Sequence, residues 1–173
     1  MSVVFTELEA TALLALPKTT GNIEDYIPLN SGKTRLKIQP TVGADFSFIL
    51  DINLNQKISF KVSMHHQEDT NDIGLLRVDF NGTHKNPEEV IQKLPAEFHP
   101  YAGKIFAPSD HHVHIYTCPD EYPILSWALP LTVHHFPVKE IKNNNDLQNA
   151  LNYFAKEINL QGNLLIHPQL TII

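Results

Sequence analysis

Alternating hydrophobic and polar positions predict β-strands through the middle of the chain. The clearest alternation runs through residues 57–68, where the apolar positions are Ile58, Phe60, Val62 and Met64. A period of two residues is typical of a strand with one buried face. Residues 53–56 are typical of a turn, so we expect a hairpin with the preceding strand. Further strands are predicted in two runs within residues 34–54, and at residues 74–81, 110–118 and 124–133, with Pro130 marking an edge or a bulge.

Apolar residues follow helical spacing near both ends of the chain. Residues 4–16 predict a helix with Thr6 as its N-cap. Residues 147–158 carry an apolar stripe at i, i+3 and i+4 positions, with Asp146 as the expected N-cap and Gly162 as the expected stop after the helix. The sequence therefore predicts a helix at each end of a β-rich segment.

Three further segments complete the predicted fold. Asn86 and Pro87 are typical of the first turn of a short helix over residues 86–89. Residues 18–33 and 95–110 are rich in Gly, Pro, Asn and Ser, which favours loops. The resulting order of elements predicts an α+β fold, in which a single antiparallel sheet carries the N- and C-terminal helices on one face. The chain length of 173 residues suits one domain over residues 1–173.

Charge narrows the classes of partner. The formal net charge is −6, from 19 acidic and 13 basic residues, and only Arg35 and Arg77 are arginines. A non-specific nucleic-acid binder normally carries a basic surface, because neutralised phosphates supply its affinity. The composition argues against that class, while a small RNA site built from a few His and one Arg stays open.

The cysteine count and the hydropathy pattern favour a cytoplasmic protein. Cys118 is the single cysteine, which excludes an internal disulfide and a multi-cysteine metal site. The first residues lack the basic region of a signal peptide. No window approaches the ~20 apolar residues that span a bilayer. We therefore expect a cytoplasmic protein with no membrane partner.

Histidines supply the candidate chemistry. The chain has 10 of them, and three lie together at His111, His112 and His114. Residues two apart in a strand share a face, so His112, His114 and Tyr116 are expected on one face, opposite the apolar Val113 and Ile115. That face is expected to be the more open one. The neighbouring pair His65-His66 is interpreted as a solvated strand end.

A second strand offers a matching polar face. Arg77 and Asp79 alternate with the apolar Val78 and Phe80. If this strand pairs with the histidine strand, the two faces form one cluster with His84 above it from the following turn. The structural interpretation of the same residues is an ordinary Arg–Asp ion pair.

Three interpretations of this cluster stay open. In the first, a histidine acts as general acid or base while Arg77 stabilises the charge on a phosphorane, which would cleave RNA without a metal. In the second, His112 and His114 bind Zn²⁺ or Mn²⁺ together with Asp79 or His84. In the third, the histidines line a partner-binding face without chemistry.

The motifs Leu76–Phe80, Thr83–Pro87, His112–Tyr116 and Ala128–Leu131 resemble a family of small prokaryotic and phage proteins of unknown function. Its pattern is an Arg-x-Asp strand, a His-x-Asn-Pro turn and a His-x-His-x-Tyr strand. The chain is also similar, more distantly, to TumE-type toxins with RelE/barnase-like folds. This chain has Val78 where those toxins carry Tyr, and it is longer and more acidic. The resemblance marks as site residues Arg77, Asp79, His84, His112, His114 and Tyr116.

These observations lead to two functional hypotheses. The first is a metal-independent endoribonuclease of toxin–antitoxin or phage–host conflict, with RNA as substrate and no cofactor. The alternative is a non-enzymatic phage-encoded inhibitor or accessory protein that binds a protein partner through a sheet edge or the 95–110 loop. An exposed edge strand would also allow a homodimer.

Overall fold

The first element of the chain is a helix with a complete N-terminal cap. The computed structural model describes residues 4–30, 32–43, 45–55 and 60–167, and helix α1 spans Glu7–Ala15. The Thr6 hydroxyl accepts a hydrogen bond from the Glu9 amide, and the Glu9 carboxylate accepts one from the Thr6 amide. This capping box satisfies two amides at the helix start, and it confirms the predicted cap.

Strands make up most of the regular secondary structure. In chain order they are β1 (Lys18–Pro28), β2 (Gly32–Pro40), β3 (Phe48–Asn55), β4 (Lys61–Glu68), β5 (Ile73–Phe80), β6 (His84–Lys85), β7 (Ile105–Phe106), β8 (His112–Ile115), β9 (Ala128–Pro130) and β10 (Leu160–His167). A 3₁₀ helix spans Ala96–Tyr101, and helix α2 spans Asn144–Glu157. Eight strands form one sheet in the order β10-β1-β2-β3-β4-β5-β8-β9, and β6 pairs with β7 separately.

The predicted fold class is wrong. In place of a single antiparallel sheet with helices on one face, the described residues form a large mixed sheet, a second two-stranded sheet and only short helices. The mixed character comes from β10, which pairs in parallel with β1. A parallel partner comes from a distant part of the chain, so neighbouring residues carry no signal for it.

The segment predicted as a loop over residues 18–33 contains β1 and the start of β2. Gly21 and Asn22 lie where the register with β10 shifts, between Thr19 and Glu24. Gly21 has a φ of 89°, which glycine adopts without the steric penalty of a side chain. The turn residues therefore form an irregularity inside a strand.

The hairpin predicted around residues 53–56 is present with a different boundary. β3 and β4 pair antiparallel from Phe48↔Glu68 to Asn55↔Lys61, so residues 53–55 continue the strand and form no turn. Gln56 and the next three residues lie outside the described part of the chain. Pro130 lies in the edge strand β9, as predicted.

Helix α2 carries the predicted apolar stripe. Its buried residues are Leu147, Ala150, Leu151, Phe154 and Ala155. The N-cap is Asn143, whose side chain accepts from the Asp146 amide, so the predicted cap at Asp146 is wrong. Gly162 lies inside β10 and does not end the helix. Within the described residues, no helix has the length and apolar content needed to cross a membrane.

Candidate functional site

One face of the sheet carries a row of charged and imidazole side chains across five strands. The strand register places these residues opposite one another in the order Arg35, Asp51, His65, Arg77 and His114. A second row on the same face runs through Ser63, Asp79 and His112. Since alternate residues of a strand share a face, the intervening apolar residues point to the opposite side.

The predicted pairing of the Arg-x-Asp strand with the histidine strand is confirmed. β5 and β8 are antiparallel neighbours, with Arg77 opposite His114 and Asp79 opposite His112. Asp79 Oδ2 lies 2.8 Å from Arg77 Nε, 3.0 Å from His114 Nε2 and 3.6 Å from His112 Nε2. One carboxylate oxygen of Asp79 therefore contacts all three of these side chains.

Backbone carbonyls hold the two imidazoles in place. His112 Nδ1 lies 2.8 Å from the Asp110 carbonyl oxygen, and His114 Nδ1 lies 2.8 Å from that of Leu125. A carbonyl oxygen only accepts hydrogen bonds, so each Nδ1 carries a hydrogen and donates it. In a neutral His112 ring, Nε2 then presents a lone pair toward the Asp79 carboxylate, while the His114 Nε2 lies within hydrogen-bond distance of Asp79 Oδ2.

The cluster lies deeper than expected. His112 and Asp79 are 0% and 3% exposed, and His114 is 5% exposed, so the predicted open face is wrong at these positions. The Phe106 ring lies 4.6 Å from the His112 ring, and the Leu125 segment covers His114 through its carbonyl. Phe106 belongs to the two-residue strand β7 and Leu125 to the segment between β8 and β9, and the local pattern does not predict where either segment runs.

Burial and charge set the protonation states. Burial lowers the pKa of His112 to about 4. For Asp79, burial acts to raise the pKa, but the hydrogen bond with His114, the Arg77 charge and the Ser63 hydroxyl lower it to about 2. At neutral pH the cluster thus holds an ionised carboxylate beside a neutral His112.

His84 joins the cluster, and Tyr116 does not. The His84 ring centroid lies 4.4 Å from that of His114 and 5.9 Å from that of His112. The His84 Nε2 lies 2.8 Å from the Ser126 carbonyl oxygen, so it donates there. Tyr116 follows the end of β8, and its hydroxyl donates to the Phe5 carbonyl in the core.

Sequence reasoning missed Ser63 and His65. The interpretation of His65-His66 as a solvated strand end is wrong. His66 is fully buried and stacks on Phe48, while His65 lies opposite Arg77 on the site face. The alternation within β4 carries this signal, because it places Ser63 and His65 opposite the apolar Met64.

A cleft of about 430 Å³ opens beside the cluster. Its polar lining comes from His65, Asp72, Arg77, His84 and His114, and its apolar wall from Ile124 and Leu125. The side chain of Arg77 is 44% exposed. The cleft therefore connects the buried cluster to solvent.

The cluster also has the composition of a metal site. The ligand atoms of Asp79, His112 and His114 all lie within 4.8 Å of one another, and within the described residues this is the group of His, Cys, Asp and Glu that meets that criterion. Two imidazoles and one carboxylate occur as ligands of zinc and of non-haem iron. The backbone carbonyls that accept from each Nδ1 match the arrangement usual for metal-bound histidines.

Comparison with known families gives one match. A family model covers residues 5–160. The chain belongs to DUF6978, a family of unknown function. This agrees with the resemblance to a family of unknown function drawn from the motifs. Neither the curated proteins nor the solved structures contain a match to the chain.

Proposed function

We propose that this member of the family binds a divalent transition-metal ion through Asp79, His112 and His114. The observation that supports the proposal is the convergence of two imidazole Nε2 atoms on one carboxylate oxygen, at 3.0 and 3.6 Å. The ligand atoms come from paired strands, which hold them in fixed positions. A site that is formed before binding loses little entropy when the ion arrives.

The unbonded nitrogen of His112 adds to the case for a metal. Among the described side chains, His112 Nε2 is buried without a hydrogen-bond partner. An unsatisfied buried polar atom costs about 1–3 kcal/mol. A cation between His112, His114 and Asp79 would satisfy this lone pair and separate it from the carboxylate.

The contacts of His114 disfavour acid–base catalysis by this ring. His114 uses Nδ1 for the Leu125 carbonyl and Nε2 for Asp79. A general acid or base needs a ring nitrogen within reach of its substrate. Neither nitrogen of His114 faces an external group in this arrangement, whereas a metal ligand needs only one buried lone pair.

Three protein ligands with a cleft alongside are typical of a catalytic metal site. Such sites keep an open position for water or substrate, and a bound metal lowers the pKa of water toward neutrality. The His114 side of the cluster borders the cleft. We infer a metal-dependent enzyme, with the reaction at the cleft side of His114.

Metal titration tests the proposal. Protein stripped of metal should bind one equivalent of Zn²⁺, Fe²⁺, Co²⁺ or Mn²⁺, measured by elemental analysis after dialysis. Asp79→Asn and His112→Ala should weaken binding by about tenfold or more. Asp51→Asn is the matched control, because Asp51 is a buried aspartate on the same face that bonds Arg35. Equal metal content in all variants, or none in the wild type, would overturn the proposal.

The second candidate function is metal-independent RNA cleavage, the activity expected from the resemblance to TumE-type toxins. It is favoured by Arg77 and His65, which line the accessible cleft. The test incubates a mixed RNA pool with the protein in EDTA, beside Arg77→Ala/His114→Ala and an Arg35→Ala control. Cleavage that survives EDTA and disappears only in the double variant would favour this candidate over the metal site.

A further inference from the structure

The two arginines of the chain occupy matched positions on one sheet face but have different surroundings. Arg35 forms two bonds of 2.8 Å with Asp51, and Lys33 lies 2.8 Å from the same carboxylate. Arg77 forms a 2.8 Å contact through Nε with Asp79, whose Oδ2 also contacts His114. Both side chains are about half-exposed. Arg77 differs from Arg35 by sharing its carboxylate with the cluster and by lining the cleft.

Charge in the cleft favours an anion. The carboxylates at the site are Asp79 and Asp72, and Asp72 accepts a hydrogen bond from Gln67. The two further histidines of the cleft are His65, which lies opposite Arg77 in the strand register, and His84, whose Nε2 donates to the Ser126 carbonyl. With a divalent ion bound, the positive charges of the metal and Arg77 outnumber the two carboxylates. The cleft would then be positive in a chain of net charge −6.

The shape of the cleft limits the size of the anion. Its volume of about 430 Å³ lies in the range of small-molecule sites. Ile124 and Leu125 form an apolar wall on one side, which suits an organic group. A long polyanion would need additional basic contacts along its backbone. On the same face, Lys33 and Arg35 are bonded to Asp51.

We propose that this cleft binds the phosphate group of a small phosphorylated molecule, with one phosphate oxygen at the open metal position and another on Arg77. The inference rests on the proposed metal site, since the metal supplies one of the two contacts to the phosphate group. Guanidinium and phosphate form charge-assisted, bidentate hydrogen bonds, which explains an arginine at this position. The apolar wall at Ile124 and Leu125 contacts the organic part of the ligand.

Spectroscopy of the cobalt-loaded protein tests this inference. Titration with inorganic phosphate, and separately with phenyl phosphate, should change the visible Co²⁺ spectrum in a saturable manner. We expect phenyl phosphate to bind more tightly than inorganic phosphate, because its ring contacts the apolar wall. Arg77→Gln should weaken both ligands about tenfold or more. Arg35→Gln should leave both affinities within about twofold of wild type.

The cobalt content of each variant is measured first, so that failure of the metal site and of the phosphate site are separated. If Arg77→Gln lowers metal content, Arg77→Lys replaces it and should give an intermediate affinity, since it keeps the charge but not the planar fork. An unchanged spectrum in fully loaded protein would overturn the phosphate site alone. Equal loss of phosphate affinity in Arg35→Gln and Arg77→Gln would also overturn the phosphate site. If phosphate binds equally tightly to protein without metal, the claim that the metal contacts the phosphate is wrong. If a ten-nucleotide RNA binds more tightly than phenyl phosphate, the claim that the ligand is a small molecule is wrong.

Discussion

Asp79 is the residue on which the site depends. Its carboxylate accepts from Arg77 and contacts both imidazoles, and it is almost completely buried. A buried carboxylate stays ionised only when such partners compensate its loss of hydration. On the opposite face of the sheet, His66 shows the converse case. It is fully buried against Phe48 with no ionic partner in the described structure, and burial lowers its pKa to about 3.

His66 should make the protein sensitive to acid. Its folded pKa lies below the ordinary value of 6.5, so the unfolded chain binds the extra proton first. The contribution of neutral His66 to the free energy of unfolding is fully present above pH 6.5 and is lost as the pH falls toward about 3. In that window the free energy of unfolding should fall by up to about 1.4 kcal/mol per pH unit from this group.

Urea unfolding of the wild type and His66→Leu at several pH values measures this contribution. The variant should show a shallower decline below pH 6.5. His99→Gln, a change at an exposed ring, serves as the control and should follow the wild type. Parallel curves for wild type and His66→Leu would show that His66 is not the acid-sensitive group.

At the scale of elements, single polar side chains join distant segments. Asn86 is buried, donates to the Tyr101 and Ala128 carbonyls and accepts from the Ala128 amide. It thereby pairs with the edge strand β9 as a strand backbone would. The helix predicted at residues 86–89 is absent, because this asparagine bonds another segment and caps none. The same contact fixes the segment that carries His84.

Asn86→Ala should lower the free energy of unfolding by about 2–4 kcal/mol, because the buried amide and carbonyls lose their partners. Chemical denaturation monitored by Trp127 fluorescence measures this change. Asn152→Ala, at an exposed position of α2, is the control and should change stability by less than about 1 kcal/mol. A similar small effect of Asn86→Ala would contradict the bridging role.

Lys18 joins the two helices in a comparable way. It is fully buried, and its Nζ donates to three carbonyls at 2.8–2.9 Å: that of Leu14 in the last turn of α1, that of Leu16 directly after α1 and that of Ile158 directly after α2. A cation at helix C-termini is stabilising and satisfies their free carbonyls. The end of each helix is thus tied to the first residue of β1.

Lys18→Met should lower the free energy of unfolding by about 2–4 kcal/mol, since three carbonyls lose their donor. Lys37→Met, an exposed lysine of β2, is the matched control. Denaturant midpoints of the two variants decide the question. Equal midpoints would mean that the three contacts add nothing to stability.

At the scale of the whole molecule, the site lies near one edge of the mixed sheet, where β5 and β8, the two strands inside the edge strand β9, meet the covering segments. β5 and β8 supply its ligands, and the chain between them supplies the cover through Phe106 and His84. A metal that bridges β5 and β8 would bind only the folded chain. Binding should therefore stabilise the entire fold.

Thermal unfolding measures this linkage. Free zinc at about a hundredfold excess over Kd should add about 3 kcal/mol to stability, and EDTA should remove it. Asp79→Asn should abolish the difference, while Asp51→Asn should retain it. The same unfolding temperature with zinc and with EDTA in the wild type would contradict a metal site between β5 and β8.

The sequence by itself determined both α-helices, the strands β2 to β5, β8 and β9, and most residues of the candidate site, but it did not predict β1 or β10. Alternation in β4, β5 and β8, helical spacing in α2 and the Thr6 cap are local signals, since each depends on residues a few positions apart. The two polar faces suggested the hypothesis that Arg77 and Asp79 pair with His114 and His112, and the structure shows this pairing. Tertiary structure alone decided the parallel pairing of β10 with β1, the burial of His112, and the places of His65 and Tyr116. These features depend on contacts between residues far apart in the chain, which local periodicity does not encode.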